Sequence, residues 1–83
     1  MPEHILISGD TVRDTVREDG TEETVVTFAE NGTSKTVTST SPDVAGAAQE
    51  IKSAGYLSDP DIAVIIEYDG DTLTAISYEQ TVP

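Results

Sequence analysis

In 83 residues, sixteen Asp and Glu stand against four Lys and Arg, a net charge of −12. That excess argues against direct binding to a nucleic-acid backbone or an anionic lipid surface, since both repel it. The absence of cysteine excludes a disulfide staple and a thiolate metal site. With 36% apolar residues and only Phe28, Tyr56, Tyr68 and Tyr78 aromatic, residues 1–83 are bounded to a single small domain with a thin core. Such a domain relies on close packing or on a partner chain.

Residues 4–8, HILIS, are an apolar run ended by Gly9-Asp10 and predict a short first strand. Residues 10–20, DTVRDTVREDG, admit two readings. As a helix they have Asp10 as N-cap, Val12 and Val16 four residues apart, and Gly20 beyond the end. As a strand they run into a turn at Asp19-Gly20. Thr and Val favour the strand, which is the expectation adopted.

Residues 24–29 and 34–40 flank Asn31-Gly32, a strong hairpin signal. A two-residue loop sets Val26 opposite Val37. Phe28, Val26 and Val37 then face inward, and Val25, Thr27, Thr36 and Thr38 face solvent. Ser41-Pro42-Asp43 opens a helix: serine as cap, proline at the first helical position, aspartate near the positive end of the dipole. Val44, Ala47, Ala48, Ile51 and Ala54 share one stripe, and Gly55 ends the helix with Tyr56 placed to pack back. A second hairpin, 62–68 and 72–78, turns at Asp69-Gly70.

That last hairpin carries the main structural inference. Ile62, Val64, Ile66 and Tyr68 line one face of its first strand, while Ala63 and Ile65 occupy the other. A half-exposed strand alternates with polar residues and this one does not, so it reads as central and covered on both sides. One helix covers one face. The other needs residues 10–20 folded as a helix, curling of the sheet, or another copy of the chain. Val12 and Val16 make a poor lid, which points to the copy. The expected fold is α+β: a mostly antiparallel sheet of four to six strands with one main helix on one face, in the order (β)-β-β-β-α-β-β. A homodimer is expected through the sheet, with Ala63, Ile65, Val64, Ile66 and Ile76 as the candidate interface.

Little in the sequence suggests catalysis. His4 reads as an exposed terminal histidine, and no Ser-His-Asp spacing, phosphate-cradling loop or zinc signature is present. No enzyme activity and no cofactor are expected. Asp59, Asp61, Asp69 and Asp71 lie in the loops SDPD and DGD without EF-hand spacing. They read as turn formers, with hydrated K⁺ and Na⁺ held diffusely by surface carboxylates. Asn31-Gly32-Thr33 matches a glycosylation acceptor but reads as the hairpin turn. Glu18, Asp19, Glu22 and Glu23 cluster about Gly20. They form either a solvated turn, in which Arg13 and Arg17 find partners, or a negative prong imitating nucleic-acid phosphates to block a basic protein. A third class, a ligand carrier or small enzyme, would need a helix–sheet pocket lined by Tyr56, Tyr68 or Tyr78.

Many Asp and Glu, two Lys, twelve Thr, abundant Val and Ala and few aromatics give a composition that resembles the cytoplasmic proteins of extreme halophiles. The resemblance covers the whole chain and concerns composition alone. It implies work in concentrated salt. The alternative is an acidic protein of ordinary salt, such as a phage or host-defence product. The start, MPEHILISG, has an acid and only a three-residue apolar run, Ile5 to Ile7. Neither a signal peptide nor a spanning helix is expected, and the reading is cytoplasmic. The function expected is a non-enzymatic acidic domain acting through self-association or contact with another protein.

Overall fold

The computed structural model describes residues 2–7 and 9–81. It is an α+β fold with strands β1 (Glu3–Ile5), β2 (Thr11–Val16), β3 (Glu22–Glu30) and β4 (Thr33–Ser39), helix α1 (Pro42–Ser53), a 3₁₀ turn (Tyr56–Ser58), and strands β5 (Ile62–Asp69) and β6 (Thr72–Gln80). The strands form one sheet in the order β1-β5-β6-β4-β3-β2. Two antiparallel three-stranded halves, β2-β3-β4 and β1-β5-β6, meet along a short parallel seam where Thr38 pairs with Thr72. There the Thr38 N–H donates to the Asp71 carbonyl at 2.9 Å. Helix α1 packs on strands of both halves, β2, β3 and β6, and so braces the seam.

The first hairpin turns as Asn-Gly demands. Asn31 and Gly32 take positive φ, 53° and 80°, the handedness a tight two-residue loop needs to follow strand twist. Val26 lies opposite Val37 as expected. In the second hairpin Asp69 pairs with Thr72, so the loop is Gly70-Asp71, one residue later than the Asp69-Gly70 turn expected. Gly70, at φ 60°, occupies the first central place, where glycine is favoured. A register shift beside Glu67 and Tyr68 leaves Thr74 as the extra residue of a bulge.

Residues 11–16 are strand, not helix. β2 pairs with β3 from Thr11–Thr27 to Val16–Glu22, and it buries Val12 in the core. The long antiparallel ladder outweighs the two-valine stripe a helix would offer. The first strand covers residues 3–5 rather than 4–8, and Ser8 lies outside the described residues.

Helix α1 has Ser41 at its N-cap and Pro42 at the first turn, but the serine side chain makes no capping bond. The Ser41 N–H is instead held by Ser39 Oγ at 3.1 Å. Val44, Ala48 and Ile51 are buried against the sheet and Ala47 is half-buried, while Ala54 is exposed at the helix end. Gly55 stops the helix with φ 75°. The core comprises this stripe with Val12, Val26, Phe28, Val37, Val64, Ile66, Tyr68, Leu73 and Ile76.

β5 is not central. It lies between β6 and the three-residue edge strand β1, and β6 and β4 hold the middle of the sheet. The expected double cover therefore does not come from position in the sheet. His4 also departs from its reading as exposed. Its pairing with Ile66 turns it towards the helix side, where its ring stacks on Phe28 at 4.4 Å. Its Nε2 lies 3.5 Å from Asp10 Oδ2, an oxygen that also accepts the Ile7 N–H at 2.8 Å. The aspartate fastens the loop after the first strand. His4 Nε2, by contrast, is buried with no hydrogen-bond partner, and the ring is held by its stacking on Phe28.

Candidate functional site: the sheet face away from the helix

Side chains alternate across a sheet, so the strand registers assign every residue to the helix face or to the open one. Val64, Ile66 and Ile76 fall on the helix face and are at most 7% exposed. Grouping them with an interface fails physically, because the monomer's own core already surrounds them. Ala63 and Ile65 fall on the open face and are half-buried. Ile65 lies between Ile5 of β1 and Ser77 of β6, and Ile5 is 56% exposed. The neighbouring row is Glu3, Glu67 and Ala75, and on the other side Ala63 pairs with Glu79. The open face of this half is thus a short apolar row with carboxylates on both flanks.

The other half of the open face is built of threonine. Thr11, Thr27 and Thr36 lie in one row, with Thr27 and Thr36 hydroxyls 3.3 Å apart. The next row is Arg13, Val25, Thr38 and Thr72. Val25, expected towards solvent, is buried because Arg13 and Thr38 flank it across the strands. Neither α1 nor residues 10–20 lie over this face: α1 packs on the opposite one, and residues 11–16 are part of the sheet itself.

The four acids of the expected prong separate. The chain reverses through one Arg17 N–H to Thr21 carbonyl bond and a Gly20 N–H to Arg17 carbonyl bond. Asp19 accepts the Thr21 N–H at 2.9 Å, a bond that holds its carboxyl below the usual aspartate range. Glu23 binds Arg17, whose Nε lies 3.0 Å from it, while the register turns Glu22 to the helix side. Only Glu18 and Asp19 remain at the exposed tip. In the loop before β5, Asp59 accepts the Asp61 N–H at 2.9 Å, an ordinary turn bond. No group of three or more His, Asp or Glu suited to a metal ion occurs among the described residues.

The tyrosines also divide. Tyr56 and Tyr78 pack ring to ring at 4.4 Å beside Glu50. Tyr68 is buried next to Phe28, with Lys35 Nζ 5.5 Å from its ring centre. Its hydroxyl donates to the Glu30 carboxylate, and that bond raises its pKa above the ordinary 10.0. A folded-state pKa above the unfolded one contributes stability that is complete below pH 10 and lost as pH rises through the folded value. Alkaline unfolding followed by circular dichroism should therefore show a loss above pH 10 that Tyr68→Phe makes shallower; an identical profile for the variant would contradict this.

No family model matches the chain, and no curated protein or solved structure matches it at a significant level. No helix among the described residues is long and apolar enough to cross a membrane.

Proposed function

We propose that this protein is a non-enzymatic acidic interaction domain that works as a pair of identical chains in concentrated salt. The observation that carries the reading is the open row Ile5, Ile65 and Ala63, which the fold leaves half-exposed on the side opposite the helix. A second copy, related by a two-fold axis parallel to the plane of the sheet, sets this row against its own equivalent and buries both. The molecule measures 43 × 29 × 22 Å. Its broad face is large enough for the roughly 800 Å² per partner that a standard interface covers. The threonine rows suit the rim, where hydroxyls bond to partner or water.

The flanking carboxylates set the condition. Glu3, Glu67 and Glu79 meet their own copies across such an interface, and this repulsion is screened only at high ionic strength. Cytoplasmic residence in a salt-rich cell fits that requirement. The phosphate-mimic reading has less support, because Glu22 and Glu23 lie on opposite sides of the sheet and Arg17 neutralises the latter. Static light scattering decides the matter. In about 1 M KCl, where the Debye length is roughly 3 Å, the expected mass is twice the 8.8 kDa of the chain, falling towards one chain as salt is removed. A mass of one chain at every salt and protein concentration overturns the reading.

A further inference from the structure

A separate site lies on the helix side, between α1 and the end of the β2–β3 pair. A cavity of about 70 Å³ is lined there by Asp14, Glu22, Glu23, Thr24, Ala45 and Gln49. Asp14 and Thr24 face each other across the strands, and Glu22 shares their face two residues back. Ala45 and Gln49 come from the first two turns of the helix, and the short alanine leaves the space open. One wall is chemically anomalous. Thr24 is fully buried, and its Oγ1 has no hydrogen-bond partner. A buried hydroxyl without a partner costs about 1–3 kcal/mol, so such groups are normally satisfied by something.

The charges around the cavity narrow down what that is. Asp14 is met by Lys52 Nζ at 3.3 Å, and Glu23 is met by Arg17. Glu22 has no cationic side chain paired with it among the described residues. Glu23 turns its carboxylate to the opposite face, so Asp14 and Glu22 against Lys52 leave one negative charge beside an orphaned hydroxyl. A divalent ion is disfavoured, because no group of three acidic or imidazole side chains converges here and Asp14 already holds a protein cation. The space exceeds the 10–15 Å³ or so that one water needs, enough for an ion with part of its hydration shell.

We propose that this cavity binds one small monovalent cation, Na⁺ or K⁺, through the Thr24 hydroxyl, the Glu22 carboxylate and the Gln49 amide, with water completing its coordination. All of these present oxygen, the donor that hard cations prefer. The ion ties β3 to the first turns of α1 and satisfies the only buried threonine hydroxyl left bare among the described residues. It differs in kind from diffuse screening, which depends on ionic strength and not on the size of the cation. It is also independent of dimer formation, since the cavity lies on the opposite side of the sheet from Ile65.

The test compares thermal unfolding in NaCl, KCl and tetramethylammonium chloride at one ionic strength and one dilute protein concentration, for the unaltered chain, Thr24→Val and Glu22→Gln. Screening is common to the three salts, whereas tetramethylammonium is too large for the cavity. The unaltered chain is expected to melt about 8 °C higher in NaCl or KCl, the shift that a site filled at roughly ten times its Kd gives a domain of this size. Both variants are expected to lose that difference. Valine matches threonine in shape, and Glu22 is exposed, so Glu22→Gln decides the matter alone if Thr24→Val does not fold. Equal melting of the unaltered chain in all three salts overturns the proposal and leaves ordinary water in the cavity. A difference that survives in either folded variant overturns it as well.

Discussion

Ile66→Asp is expected to unfold the chain, whereas Ile65→Asp, one residue earlier, is expected to leave a folded monomer. Ile66 is completely buried beneath the helix, between His4 and Ile76 on the neighbouring strands. Removing its side chain alone costs about 2–5 kcal/mol, and an unpaired carboxylate in that position adds several more. A domain of this length has roughly 4–12 kcal/mol of stability in all, so the variant has no folded state to occupy. Ile65 points the other way, towards the half-exposed row with Ile5 and Ser77. There aspartate loses a cross-strand apolar contact worth about 1 kcal/mol at most, and its carboxylate reaches water.

The same Ile65→Asp change places two like charges against each other wherever two copies meet through this face. Dissociation with retained circular dichroism is the expected outcome in high salt. A variant that scatters light as the unaltered chain does would move the interface elsewhere. A variant as unfolded as Ile66→Asp would show that the open face contributes to the fold of each chain. The adjacent pair separates fold from association because strand periodicity puts neighbours on opposite sides.

How much of this was legible in the sequence follows the reach of each interaction. The Asn31-Gly32 hairpin, its Val26–Val37 pairing and the helix after Pro42 rest on residues close in the chain, and the structure has all of them. The strand at 11–16 was ambiguous because two valines satisfy either period; the β3 ladder decides it. Where partners are distant, the reading failed or was silent. The position of β5 beside a three-residue edge depends on how the halves join, and nothing near Ile62 in sequence marks that. His4 looked like an exposed terminal residue because its stacking partner, Phe28, and its charged neighbour, Asp10, become neighbours only when β1 docks on β5. The apolar pattern did identify Ala63 and Ile65 as a second face. It could not separate them from Val64, Ile66 and Ile76 until the helix was placed. Of the cavity at Thr24 there was no sign, since its walls come from three elements.

The second large effect is expected from salt. At net charge −12, repulsion is spread over the whole surface and is concentrated at Glu3 and Glu67, which face each other directly across β1 and β5. Two like charges 10 Å apart in water repel by about 0.4 kcal/mol, and several such pairs sum to about 2–3 kcal/mol. At about 1 M KCl the Debye length shrinks to roughly 3 Å and nearly all of that disappears. For a domain of this size the melting midpoint should then rise by about 10–20 °C between dilute buffer and molar KCl. Association also stabilises, but its contribution grows with protein concentration. Repeating the salt series with Ile65→Asp, or at a protein concentration where scattering shows single chains, isolates the electrostatic part. Glu67→Gln removes one member of the facing pair, so it should melt higher than the unaltered chain in dilute buffer and almost equally in molar KCl. A midpoint that ignores salt in the monomeric protein would mean that the carboxylates lie far enough apart to be harmless in plain water. The acidic composition would then carry no requirement for a saline cell.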